Sequence, residues 1–201
     1  MPRVAIIIYT LYGHIAALAE AEKIGLEENK GVEVDILQVP ETLPPDDVKE
    51  TGGEPTPEFP IASRDTLKEY DAFMFGVPAK LGNLPAQWKA FWDATGSLWL
   101  QGSLHGKLAG VFTSSSTYGE NETAIVSMVT TLAHHGIVYV PLGYAGARKK
   151  LSHVGKVHGG GPWGAGTITG PDGSREVIGL EEKVAKEQGR RFGKILANST
   201  T

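Results

Sequence analysis

The chain has 201 residues, of which 41% are hydrophobic and 21% charged, with 19 basic against 23 acidic side chains and a formal charge of -4. This balance suits a single globular domain over residues 1–201 and makes neither nucleic acid nor an anionic membrane an obligatory partner. The absence of cysteine excludes disulfides, thiolate chemistry and cysteine-bound metals, and no apolar run approaches the roughly 18 residues of a transmembrane segment. The apolar run Val4–Tyr9 lacks alternation, which predicts a parallel strand covered on both faces. No basic region or apolar signal core precedes it, so the default expectation is a cytoplasmic protein. Thr10-Leu11-Tyr12-Gly13-His14 then leads into an alanine-rich helix from Ile15 to about Gly25.

Val32–Leu37 alternates and reads as a second strand with one solvated face. Ala72–Val77, Leu108–Phe112 and Ile137–Val140 read as three further strands buried on both faces. Ile125, Met128, Val129, Leu132 and Ala133 share one helical face, as do Leu180, Val184, Phe192, Ile195 and Leu196 nearer the C-terminus. Five strands alternating with helices predict an α/β fold, a doubly wound parallel sheet of order 2-1-3-4-5 with helices on both faces. Two regions exceed that frame: a proline-rich surface excursion from Glu41 to Ser63, and an irregular glycine-rich segment from Tyr144 to Gly179.

Open α/β sheets bind ligands outside the carboxyl ends of their strands. Three loops fall on that rim: Thr10 to Ile15, Pro78 to Asn83, and Thr113 to Gly119. The first offers free amides and a helix N-terminus to an anion. The third, Thr113-Ser114-Ser115-Ser116-Thr117-Tyr118-Gly119, offers small hydroxyl residues and backbone to a planar ring. Together they suit a flavin mononucleotide better than a dinucleotide, because no G-x-G-x-x-G follows the first strand and no P-loop spacing occurs. His134-His135 does not read as a metal pair, since adjacent residues face different sides of a helix and no carboxylate stands at ligand spacing.

The chain resembles the WrbA family of flavodoxin-like NAD(P)H:quinone oxidoreductases, in particular its fungal members. The resemblance is carried by Tyr9–Ile15, Pro85–Asp93, Gly96–Trp99, Thr131–Gly136, Val140–Tyr144, Pro162–Thr167 and Asp172–Arg175. It implies a flavodoxin-like sheet with family-type insertions and an FMN-dependent, two-electron ping-pong reduction of quinones by NADH or NADPH, protective against oxidative stress. It further implies that Thr10, Leu11, Tyr12, Gly13, His14 and Ile15 hold the FMN phosphate and ribityl end. Ala79, Lys80 and Leu81 would then flank the ring, and Ser114, Ser115, Ser116, Thr117, Tyr118 and Gly119 would wrap its other side. His134 is implied beside the flavin as the candidate catalytic group, Tyr12 at the nicotinamide cofactor, and Trp99 in the substrate pocket of a neighbouring subunit. Homodimers pairing into homotetramers are expected, with peripheral contact at a membrane as a further expectation.

The sequence departs from that family at both ring-side loops. Where the family reads P-T-R-F-G-N, Ala79, Lys80 and Leu81 remove a hydroxyl, a planar guanidinium and an aromatic ring. Ser116, Tyr118 and Glu120 replace family glycines, adding bulk and a negative charge. At about 1 kcal/mol for each change, FMN binding is expected to weaken by 100-fold or more. That expectation keeps a second reading open, a flavodoxin-like structural or interaction protein with weak or lost FMN binding, while a one-electron carrier fits less well because such carriers are far more acidic.

Overall fold

The computed structural model describes residues 1–53 and 59–199. Among the described residues six strands form one parallel sheet: β1 (Arg3–Ile8), β2 (Glu33–Gln38), β3 (Ala72–Pro78), β4 (Leu108–Ser115), β5 (Val138–Tyr139) and β6 (Gly166–Ile168). The order is β2-β1-β3-β4-β5, with β6 also pairing to β4. Eight helices accompany them among the described residues: α1 (His14–Glu27), α2 (Pro45–Glu50), α3 (Thr66–Glu69), α4 (Ala86–Asp93), α5 (Gly96–Leu100), α6 (Glu120–His134), α7 (Arg148–Leu151) and α8 (Gly179–Ser199).

The unbroken apolar strands divide their side chains between two cores. Ala5 and Ile7 of β1 and Phe73, Phe75 and Val77 of β3 face a layer built by α4 and α6, with Trp88, Trp92, Ile125, Met128 and Leu132. Val4, Ile6 and Ile8 face the opposite layer, with Ile15 and Leu18 of α1 and Val184, Phe192 and Leu196 of α8. Burial of a large aliphatic side chain is worth about 1.5–3 kcal/mol, so strands apolar at consecutive positions are held between two apolar layers. Aromatic residues fill the first layer, with Phe75 edge-on to Trp88 and Trp92. The Trp88 indole N–H donates to the Gly76 carbonyl at 3.1 Å. On the other layer α1 and α8 approach so closely that a Cβ on Gly25 would stand 2.0 Å from the Lys186 carbonyl.

Three expectations need correction. The fourth strand does not stop at Phe112: Thr113, Ser114 and Ser115 remain in β4 and pair with Gly166, Thr167 and Ile168. The fifth strand is not a continuous element buried on both faces. β5 has two residues, with Val138 50% exposed, and covers only Leu108 and Ala109. The slot beside the rest of β4 is filled by β6, so residues 140–165 interrupt one fifth-strand position. The expected irregular segment thus holds both α7 and a buried strand. Part of the Glu41–Ser63 excursion, residues 54–58, lies outside the described residues, while its first half contains α2 and its far end bridges back at Ile61 to Gln38.

Glycines let the strap before β6 lie on the sheet. A Cβ on Gly164 would stand 2.0 Å from the Val111 carbonyl oxygen. Buried Gln188 of α8 fastens the strap, donating to the Val111 carbonyl at 3.0 Å and accepting the Ala165 N–H at 2.6 Å.

Candidate functional site

Because β1, β3, β4 and β6 run parallel, the chain segments that follow them emerge on one edge. The loop after β1 turns into α1 through Gly13, whose φ of 83° is the left-handed conformation glycine adopts without strain. The Gly13 N–H donates to the Thr10 hydroxyl at 3.1 Å. Among the described residues the amides of Leu11, Tyr12, His14, Ile15 and Ala16 have no partner. The first turn of α1 holds no acidic side chain, and no described residue lies within 4 Å of where a Gly13 Cβ would be. A row of unpartnered donors at the positive end of a fourteen-residue helix is a phosphate cradle, so this end of the site fits FMN.

The second loop is a tight hairpin. Lys80 and Asn83 exchange both backbone hydrogen bonds, at 2.9 and 3.0 Å. Leu81 and Gly82 between them have φ of 52° and 72°, and Leu81 is the one non-glycine with positive φ among the described residues. A leucine in that region is strained by about 1–2 kcal/mol, and its side chain is 93% exposed. This hairpin meets the third loop: the Ala79 N–H donates to the Ser114 carbonyl at 2.7 Å, and a Gly82 Cβ would lie 3.4 Å from the Thr123 hydroxyl. In the third loop Ser115 Oγ donates to the Thr117 carbonyl at 2.7 Å and Ser116 Oγ to the Glu120 carboxylate at 3.3 Å. Glu120 and Glu122 occupy the first turn of α6, so that helix start is already matched by negative charge, whereas the start of α1 carries none and is the better fit for an anion.

Three further groups shape the rim. His14 Nε2 lies 3.1 Å from the Arg175 carbonyl, which ties the cradle to the segment after β6. That segment hangs on Glu181, a carboxylate with no exposure that accepts from the amides of Gly159 and Ile178, at 2.9 and 3.0 Å, and from Thr167 Oγ1 at 2.9 Å. The Arg175 guanidinium completes its shell at 3.2 Å. Glu41, at the carboxyl end of β2, accepts the Tyr9 phenol at 2.8 Å, the Gln87 amide at 2.5 Å and the amides of Thr42 and Leu43. Burial alone would raise the Glu41 carboxyl, but these donors together hold it below its ordinary value. Burial first, and then the hydrogen bond to Glu41, push the Tyr9 phenol up. Glu41 therefore knits the ends of β1 and β2 to the start of α4.

The structure brings Thr10, Leu11, Tyr12, Gly13, His14 and Ile15 together with Ala79, Lys80, Leu81 and Ser114 to Gly119 on this rim. The Tyr12 hydroxyl reaches the Thr51 carbonyl at 3.1 Å, drawing the excursion over the cradle. His134 and Trp99 are not brought to it within one chain. α6 starts on the rim and ends at His134 just before β5 begins, and α5 precedes the start of β4, so both residues stand at the opposite edge of the sheet. Contact of Thr95 Oγ1 with His135 Nε2 at 3.0 Å shows that these two helix ends are neighbours. Trp88 and Trp92 are core residues, whereas Trp99 is 54% exposed. Sequence reasoning missed Glu181 and Glu41; an acid at the third position of α8, bonding back to the Ile178 amide as half of a capping box, was the available signal for the first.

A family model described as NADPH-dependent FMN reductase matches residues 7–151. Protoplast secreted protein 2 of Saccharomyces cerevisiae is 59% identical over 197 residues, covering 98% of this chain and 99% of its own. NAD(P)H quinone oxidoreductase PST2 of Candida albicans is 55% identical over 196 residues, covering 97% of this chain and 96% of its own. Among solved structures, a WrbA-like flavodoxin protein from Agrobacterium tumefaciens superimposes with a TM-score of 0.67 at 21% identity, over 98% of this chain and 99% of that one. The last likeness carries the flavodoxin-like fold; the first three, taken with the phosphate cradle, show that the chain belongs to the NADPH-dependent FMN reductase family.

Proposed function

We propose that the protein is an FMN-dependent NAD(P)H:quinone oxidoreductase that reduces quinones to hydroquinones. The observation that carries this is the set of unpartnered amides of Leu11, Tyr12, His14, Ile15 and Ala16, in a chain whose family is named for NADPH-dependent FMN reduction and one of whose relatives is named an NAD(P)H quinone oxidoreductase. FMN, when bound, supplies two-electron transfer from NADH or NADPH to a quinone, the two substrates taking turns in one pocket. This chain's residues do the rest. Thr10 to Ile15 hold the phosphate; the Lys80–Asn83 hairpin and Ser114 to Gly119 bound the ring; Tyr12 lies where a nicotinamide would approach over the cradle.

His134 and Trp99 enter the reading through a second copy. Trp99 and Leu100, 54% and 78% exposed on one short helix, are apolar surface suited to a subunit contact. A homodimer or homotetramer that places this edge against a partner's rim would deliver Trp99 to the quinone and His134 to a carbonyl oxygen gaining charge. Residence in the cytoplasm and protection against oxidative stress complete the proposal. No helix among the described residues is long and apolar enough to cross a membrane, so contact with one would be peripheral.

The deciding experiment is spectroscopic and then kinetic: a flavin band retained after FMN addition and desalting, followed by NADH or NADPH oxidation that depends on benzoquinone. Absence of a flavin band and of turnover at high FMN refutes the enzyme and leaves a structural or interaction protein.

A further inference from the structure

Leu81 and Tyr118 are the two most exposed large apolar side chains on the rim among the described residues. Leu81 is 93% exposed and Tyr118 is 69% exposed, on loops that touch through Ala79 and Ser114 and through Gly82 and Thr123. Both are held at their backbones. Leu81 sits at the tip of a hairpin closed by two hydrogen bonds, in a left-handed conformation that leucine adopts only under constraint. Tyr118 is flanked by the Ser115–Thr117 bond, the Ser116–Glu120 bond and the left-handed Gly119 at φ 91°. The Tyr118 side chain itself is unrestrained: among the described residues its hydroxyl has no hydrogen-bond partner and its ring no aromatic neighbour. Fixed backbone, strained tip and loose aromatic ring together describe a clip for a flat apolar group.

Resting on the FMN reading above, we propose that Leu81 and Tyr118 form that clip and that Tyr118 is its movable jaw, competing with the quinone for the exposed ring face. A quinone must stack where a tyrosine can already lie, so each binding event displaces Tyr118. The jaw then acts on substrate size. A single-ring quinone needs only part of the face, whereas a polycyclic quinone needs Tyr118 fully withdrawn. The residue thereby sets specificity for small quinones, and it also compensates for the aromatic ring absent at position 81 by holding the flavin from the third loop.

The test uses the full chain with FMN and two variants, Tyr118→Ala and Tyr118→Phe, at a position exposed enough that folding is unaffected. The first readout is fluorescence quenching of FMN during titration, which reports ring stacking without turnover; the second is the ratio of kcat/KM for an anthraquinone to that for benzoquinone. Tyr118→Ala is expected to weaken FMN by about 3- to 10-fold, to restore part of its emission, and to raise the ratio about tenfold. Tyr118→Phe, which keeps the ring, is expected to follow the wild type in both. Wild-type protein that quenches no FMN overturns the FMN site and the clip with it. Quenching and ratio that Tyr118→Ala leaves unchanged overturn the clip alone.

Discussion

Replacing Glu181 by alanine tests how the rim is held. The carboxylate is fully buried and accepts two backbone amides at 2.9 and 3.0 Å, the Thr167 hydroxyl at 2.9 Å and the Arg175 guanidinium at 3.2 Å. A hydrogen bond to a charged acceptor contributes about 1.5–3 kcal/mol, and a buried donor left without a partner costs about 1–3 kcal/mol. Arg175 is discounted, since its side chain is 25% exposed and keeps the Ile168 and Val157 carbonyls. Orphaning the buried donors of Gly159 and Thr167 therefore puts the loss at about 3–5 kcal/mol, a large share of the 5–15 kcal/mol typical of a domain. At about 2–4 °C per kcal/mol for this size, Tm falls by roughly 6–20 °C. FMN affinity falls as well, because the segment carrying the Arg175 carbonyl no longer braces His14. Urea unfolding and FMN titration of the variant, with exposed Glu182→Ala as control, measure both. A destabilisation below about 1 kcal/mol would refute the view of Glu181 as the anchor of this segment.

Glu22, fully buried between α1 and α8 with no hydrogen-bond partner for either oxygen among the described residues, is held well above its ordinary value by burial. The unfolded chain ionises from about pH 4.5 while the native state stays protonated, so Glu22 adds no pH-dependent cost below that pH and a growing one as pH rises toward its raised native value. Glu22→Met is expected to add about 1–3 kcal/mol at neutral pH and to flatten that decline, read as urea midpoints in acid and at mild alkalinity. Leu81→Asn, which suits the left-handed position, should raise stability by about 1 kcal/mol while weakening FMN, two opposite shifts that thermal melts and fluorescence titration separate. Glu120→Gln removes a carboxylate from the ring-side loop and should tighten FMN by about 3- to 10-fold in low salt, the gain shrinking as ionic strength rises. Trp99→Glu should shift the molecule toward monomer in sedimentation and lower quinone turnover while leaving FMN bound; a fully active monomer would remove the partner's Trp99 from the pocket.

The fold was legible where period and burial agree. β1 and β3 stand in the sequence as short unbroken apolar runs, and α6 and α8 as apolar residues at helical spacing, and both patterns are buried as they read. β6 was not legible: Gly166-Thr167-Ile168 follows a glycine-rich strap that reads as loop. Its strand conformation comes from β4, Gln188 and Glu181. β5 was overread for the complementary reason, its apolar run being longer than the two residues that find a partner. At the site, the loops were legible because strand ends in a parallel sheet must share an edge. Contacts such as His14 with Arg175, separated by 161 positions, leave no local mark.

The same parallel geometry constrains how the two ends of the molecule can cooperate. Every helix that leaves the rim carries the chain back across the sheet, so residues at the end of α6 and α5 are held one sheet-width from the loops where those passages began. No side-chain motion reverses that. The core between them is a continuous layer of Phe73, Phe75, Trp88, Trp92, Met128 and Leu132, and its packing does not permit α6 to slide by its own length. A role for His134 and Trp99 at a ring bound to the cradle therefore requires the rim of one protomer to meet the opposite edge of another. Residues of such a shared site answer to two constraints, folding within one chain and fit to a second. Trp99 shows both, anchored through a helix whose Leu98 is buried while its own ring stays half exposed.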